Sequence, residues 1–133
     1  MKKSCTLFLQ RNLPDATEKF AQNLLKNSND TTDIYVIESG SDKENITDYP
    51  TFHADWDDAV VNGLRTGRGF NYGLKCLLEK DLDYEYVLMA TGDTQFNDEA
   101  VVEILIKEME ENPKIGIISP ITWNWGDRIT NFV

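Results

Sequence analysis

CTLFLQRNLPDATEKFAQNLLKNSNDTTDIYVIE, residues 5–38, sets two apolar runs on either side of a helix-patterned stretch. Residues 5–9 are apolar without helical spacing and are closed by Gln10, Arg11, Asn12, Leu13 and Pro14, the pattern of a buried strand and then a loop. Pro14 suits the first turn of a helix, where a missing N–H costs no hydrogen bond. Asp15 and Glu18 then lie near the positive end of the helix dipole, and Ala16, Phe20 and Leu24 recur every fourth residue, which places one stripe on the core. Residues 33–38 contain Ile34, Tyr35, Val36 and Ile37, a β-rich run ended by the turn-like Glu38, Ser39, Gly40, Ser41 and Asp42.

The alternation continues outward from this unit. A third short strand is expected over residues 51–54, within a stretch, 43–66, that has no clean period. Phe70, Leu74, Leu77 and Leu78 share a helical face, with Gly73 allowing close packing, so residues 68–80 are expected to be helical. Residues 84–90 read as a strand ending in Thr91, Gly92, Asp93 and Thr94. A helix follows, capped by Asn97 or Asp98, with Val101, Leu105 and Met109 alternating with Val102 and Ile106 before Asn112 and Pro113 stop it. Residues 115–119 read as the last strand, ended by Pro120. The expected fold is α/β, an open and mostly parallel sheet with helices on both faces, forming one domain over residues 1–133.

Bulk properties narrow the function. At 133 residues and 41% apolar content the chain suits one core. Thirteen basic against twenty-three acidic side chains give a formal charge of −10, which repels nucleic acid and anionic lipid headgroups. An anionic ligand would need backbone N–H groups, a few placed cations or a metal. Cys5 and Cys76 form no CxxC and sit in apolar surroundings, which favours a reduced, cytoplasmic protein. The apolar stretch after Lys2 and Lys3 is too short for a signal-peptide core or a membrane span.

In open α/β sheets ligands bind beyond the carboxyl ends of the strands. The candidates are therefore residues 10–12, 38–42 and 91–94, which would bring Arg11, Glu38, Asp42 and Asp93 to one rim as oxygen ligands and anion partners. Acidic residues after strands also commonly cap helices or end turns. Gly67, Gly69 and Gly73 form GxGxxxG, which differs from the dinucleotide fingerprint and does not follow the first strand, so an NAD site is rejected. Arg68 in that stretch can meet a phosphate at a helix N-terminus, or the stretch is a packing turn. His53 is the only histidine, which leaves no zinc cluster and no Ser-His-Asp pairing. Trp123 and Trp125, with Gly126 and Asp127, can stack a sugar ring or pack at the end of the sheet.

The order of these elements resembles the amino-terminal, nucleotide-sugar-binding part of family 2 glycosyltransferases with the GT-A fold, over nearly the whole chain. The resemblance rests on Leu9-Gln10-Arg11-Asn12, on Val36-Ile37-Glu38-Ser39-Gly40-Ser41, on Leu88-Met89-Ala90-Thr91-Gly92-Asp93-Thr94 and on Lys114-Ile115-Gly116-Ile117-Ile118-Ser119-Pro120. It implies that Gln10, Arg11 and Asn12 line the base and ribose pocket, that Glu38 with Ser39 contacts the base or ribose, and that Gly67, Arg68 and Asn71 lie near the nucleotide. It also implies that Asp93, beside Thr91 and Gly92, holds Mg²⁺ or Mn²⁺ on the diphosphate. Glu38 replaces the usual Asp, and Thr91 stands where such enzymes carry an earlier acidic partner. The chain is expected to lack the acceptor-binding half and its general base, so no catalytic residue is assigned.

Three functions follow as expectations. The first is inverting, metal-assisted transfer of a sugar from a nucleotide-diphosphate sugar to a saccharide or lipid-linked acceptor, in the cytoplasm or peripherally at the inner face of the membrane. The second is a non-catalytic nucleotide-sugar-binding module. The third, a receiver-like signalling domain, is weaker, because no acidic pair follows the first strand. An exposed sheet edge would promote self-association or association with a missing carboxy-terminal half.

Overall fold

Strand β1 (Ser4–Gln10) is paired along both edges, and helices cover both of its faces. A computed structural model describes residues 2–28, 31–92 and 94–120. Helix α1 (Pro14–Ser28) follows β1 and leads to β2 (Thr32–Glu38); a single 3₁₀ turn (Lys43–Asn45) then precedes β3 (Thr51–His53). Two helices, α2 (Asp57–Asn62) and α3 (Thr66–Glu79), carry the chain to β4 (Tyr86–Ala90), and α4 (Val101–Glu111) follows. Among the described residues the sheet is four-stranded and all parallel, in the order β3-β2-β1-β4. Gln10 pairs with Glu38 and Glu38 with His53, so the carboxyl ends of the first three strands are level.

Side-chain alternation along β1 divides the core. Cys5 and Leu7 join Ile37, Phe52, Phe70 and Leu77 on the face covered by α2 and α3. Phe8 points the other way, into a cluster with Phe20, Leu24, Phe96, Val102 and Ile106 under α1 and α4. The Phe8 and Phe20 rings stack there with centroids 4.3 Å apart. Helix α3 approaches the sheet closely because of its glycines. A Cβ at Gly69 would come within 2.7 Å of a Leu9 methyl, and one at Gly73 within 2.5 Å of an Ile37 methyl.

The structure departs from the sequence reading at three places. Leu78 is 80% exposed, and Cys76 faces the core instead, because the buried stripe of α3 runs through Phe70, Gly73, Cys76 and Leu77. Helix α4 begins at Val101, after Ala100 in a left-handed conformation, and neither Asn97 nor Asp98 caps it. Upstream, Phe96 is drawn onto α1: its N–H donates to Asn23 Oδ1 (2.8 Å) and its carbonyl accepts from Asn23 Nδ2 (3.0 Å). The Ala100 N–H then donates to the Asn27 carbonyl, and this docking delays the helix. Residues 115–119 form no strand, and Ile117 is 93% exposed. An apolar run alone does not fix a strand, which also needs a paired neighbour. Here an open groove of about 520 Å³ separates these residues from β4 and α4.

Candidate functional site

The chain adds strands in one direction from β1 to β2 to β3, then returns across the sheet to place β4 on the other side of β1. The carboxyl ends of β1 and β4 flank that reversal, the position at which open α/β sheets bind ligands. Residues 10–12, with Thr91, Gly92 and Thr94, stand there, beside residues 38–42 after β2.

Gln10 and Glu38 lie at the floor, only 2% and 3% exposed. Gln10 Nε2 donates to Glu38 Oε2 (3.0 Å) and to the Asn45 carbonyl (2.7 Å), while its Oε1 accepts from the Leu13 N–H (3.0 Å) and the Thr17 hydroxyl (3.3 Å). That is the full capacity of a primary amide. The other Glu38 oxygen accepts from the Ser41 N–H at 3.0 Å. Above them Asn12, exposed and at φ 51°, receives the Asp42 N–H and the Asn45 amide on its Oδ1, and its own N–H donates to the Ser41 hydroxyl. Two loops distant in sequence are thus laced together before any ligand arrives.

Arg11 does not join that network. Its Nη1 donates to the carbonyls of Ser39 (3.0 Å) and Ala59 (3.2 Å), and its Nη2 to those of Val60 (3.1 Å) and Val61 (3.2 Å). A guanidinium offers several donors in a fixed fork and no acceptor, and the last carbonyls of a helix have no intrahelical partner. Arg11 therefore closes the carboxyl end of α2. Gly63 (φ +70°) admits it, since a Cβ there would strike Nη1, and Gly40 (φ +75°) admits α2 itself, since a Cβ there would fall 2.7 Å from Val60 Cα. Ser39 is buried, and its hydroxyl accepts from the Leu64 N–H.

Arg68 sits in the first turn of α3, ion-paired with Asp58 of α2 and 5.9 Å from the Trp56 ring centre. The pair and the Asn62 amide, which donates to the same carboxylate (2.9 Å), hold the Asp58 carboxyl below its ordinary range, the Asn62 bond being the larger cause. Trp56 meets Tyr72 edge-on at 5.0 Å, and the Tyr72 hydroxyl donates to the His53 carbonyl. Gly67 lies within the first turn of α3 with open space where a Cβ would stand, and Asn71 is exposed one turn on. Across the sheet the Thr91 carbonyl accepts from the Thr94 N–H (2.9 Å), and Gly92 is exposed near the Phe8 ring.

Gln10, Asn12 and Glu38 are thus gathered into one network and Arg11 and Ser39 into a second, joined to α2; Arg68 belongs to a third cluster after β3. Asp93, and Trp123, Trp125, Gly126 and Asp127, lie outside the described residues. Among the described residues no three His, Cys, Asp or Glu side chains are placed to share a metal ion. Glu38 is a poor metal ligand, since it is buried and bonded on both oxygens. The sequence reading missed Trp56, Asp58 and Tyr72. Their signal was faint: Asp57 and Asp58 before Ala59-Val60-Val61 and Gly63 carry helix start and stop features, but six residues give no period to read. The sequence matches no protein-family model and no curated protein.

Proposed function

We propose that this domain binds a nucleotide-diphosphate sugar across the carboxyl ends of β1 and β4, in the manner of the donor-binding part of a family 2 glycosyltransferase. The observation that carries this reading is the coincidence of residues 10–12, 38–42, 91–92 and 94 with the reversal in the strand order. Asn12 and Asp42 line the mouth and Arg68 offers a cation from the side, while Gln10, Glu38, Arg11 and Ser39 act as the frame. A divalent cation, Mg²⁺ or Mn²⁺, held at Asp93 would neutralise charge on the departing diphosphate. With Thr91 in place of a second carboxylate, its affinity would depend on the nucleotide's own oxygens. The reaction is inverting displacement by a hydroxyl of a saccharide or lipid-linked acceptor, in the cytoplasm or peripherally at the inner membrane face. Among the described residues no helix is long and apolar enough to cross a membrane.

Isothermal titration of UDP, GDP and their sugar conjugates, with and without Mn²⁺ or Mg²⁺, tests the reading. Metal-dependent binding that is lost in Asp93→Ala is the expected result; a folded chain that binds none of them overturns it. A non-catalytic binding module is the second reading, favoured by Thr91 at the position of an acidic partner. Metal-dependent donor hydrolysis or transfer by this chain would exclude it.

A further inference from the structure

The rim cation, Arg68, is held by Asp58, and Asp58 is carried by α2, a helix too short to stand alone. What fixes α2 at its carboxyl end is Arg11, whose guanidinium gathers the Ala59, Val60 and Val61 carbonyls and ties them to the Ser39 carbonyl at the end of β2. Four of its five N–H positions can be accounted for by these bonds, so the group points at helix carbonyls and not at the mouth of the site. We propose that Arg11 is a positioning residue: it acts on the donor site through α2, setting the Asp58 carboxylate that aims Arg68. This rests on the proposed nucleotide site for its functional consequence, but the physical link from Arg11 to Arg68 does not.

The chain of contacts is continuous. Arg11 holds the last turn of α2; Asn62 in that turn donates to Asp58; Asp58 pairs with Arg68. Loss of the guanidinium leaves the carbonyls at that end without their common partner and frees the turn to fray. A lysine keeps the charge but presents a point donor where a fork is required.

The test uses the full chain and reads two signals, hydrogen exchange of the α2 and Gly63 amides and the Nε–Hε resonance of Arg68. In Arg11→Ala both should change, with exchange at Gly63 faster by at least about tenfold. Methylguanidinium should restore both, and Arg11→Lys should fall between. In Asp58→Asn the Arg68 resonance should shift while α2 protection is kept. Nucleotide affinity should fall by about tenfold in Arg11→Ala and in Asp58→Asn, with no further loss in the double variant, since both act through one path. If Arg11 touched the ligand directly, Arg11→Ala would lose affinity with the Arg68 resonance and α2 protection unchanged, and the inference would fall. A wild-type chain that binds no nucleotide would defeat the proposed function alone; the exchange and resonance signals still decide the link from Arg11 to Arg68, and unchanged signals in Arg11→Ala overturn it.

Discussion

Gln10 occupies every hydrogen-bonding position of its amide inside the fold, and Glu38 depends on it. Truncating Gln10 to alanine strands a buried carboxylate oxygen, the Leu13 N–H and the Asn45 carbonyl at once. The expected cost is about 3 kcal/mol, because unpartnered buried polar groups each forfeit desolvation energy. Urea unfolding should show the midpoint falling with an unchanged slope, and a loss under about 0.5 kcal/mol would mean that water replaces the amide. The sequence made these residue types visible as polar groups at strand ends. It did not make their direction visible, because whether Gln10 or Arg11 faces a ligand or a neighbouring loop depends on where residues 45 and 59–61 fold, and the local sequence does not encode that.

Period was legible in the long elements apart from the end of α3, where it put Leu78 on the core face and the fold puts Cys76 there. Phe20 and Leu24 on α1 follow from spacing, although Thr17 is buried more fully than Ala16; the cores of β1, β2 and β4 follow from their apolar, β-rich composition, and Gly73 was recognised as a packing residue. Helix α2 was not legible, and the start of α4 was misplaced, because a six-residue helix has no period and because Asn23 captures Phe96 by tertiary contact. The glycines of α3 separate the two roles a helical glycine can have. Gly73→Ala places a methyl against Ile37 and should destabilise by about 1–3 kcal/mol through overpacking. Gly67→Ala meets nothing within 4 Å and should instead stabilise, by up to about 1 kcal/mol, since alanine has less backbone freedom to lose. Thermal or urea unfolding of the two variants checks the opposite signs; equal effects would show that α3 settles onto the sheet by some other fit.

A doubly covered parallel sheet buries its central strand almost throughout, and one thiol goes with it. Cys5 on β1 is fully buried, and burial, helped by the charge of Asp33, pushes its thiol from 9.0 up to about 12. A folded-state value above the unfolded one means that the unfolded chain releases the proton first as pH rises. Stability is therefore complete below pH 9 and declines from there toward 12. The linkage from Cys5 amounts to about 1 kcal/mol lost between pH 9 and 10, on top of a loss from Tyr49, Tyr72 and Tyr84, whose hydroxyls burial also raises and which a Cys5 variant shares with the wild-type protein. Cys5→Ala removes this contribution while adding a small cavity, so its stability at pH 8 should be lower than that of the wild-type protein but its decline from pH 9 to 10 shallower by about that amount. The comparison is of slopes, so the cavity cancels. Urea unfolding of both proteins at pH 8, 9 and 10 decides the matter: converging curves place Cys5 in a dry interior covered on both faces, and parallel curves would mean that water reaches the centre of the sheet.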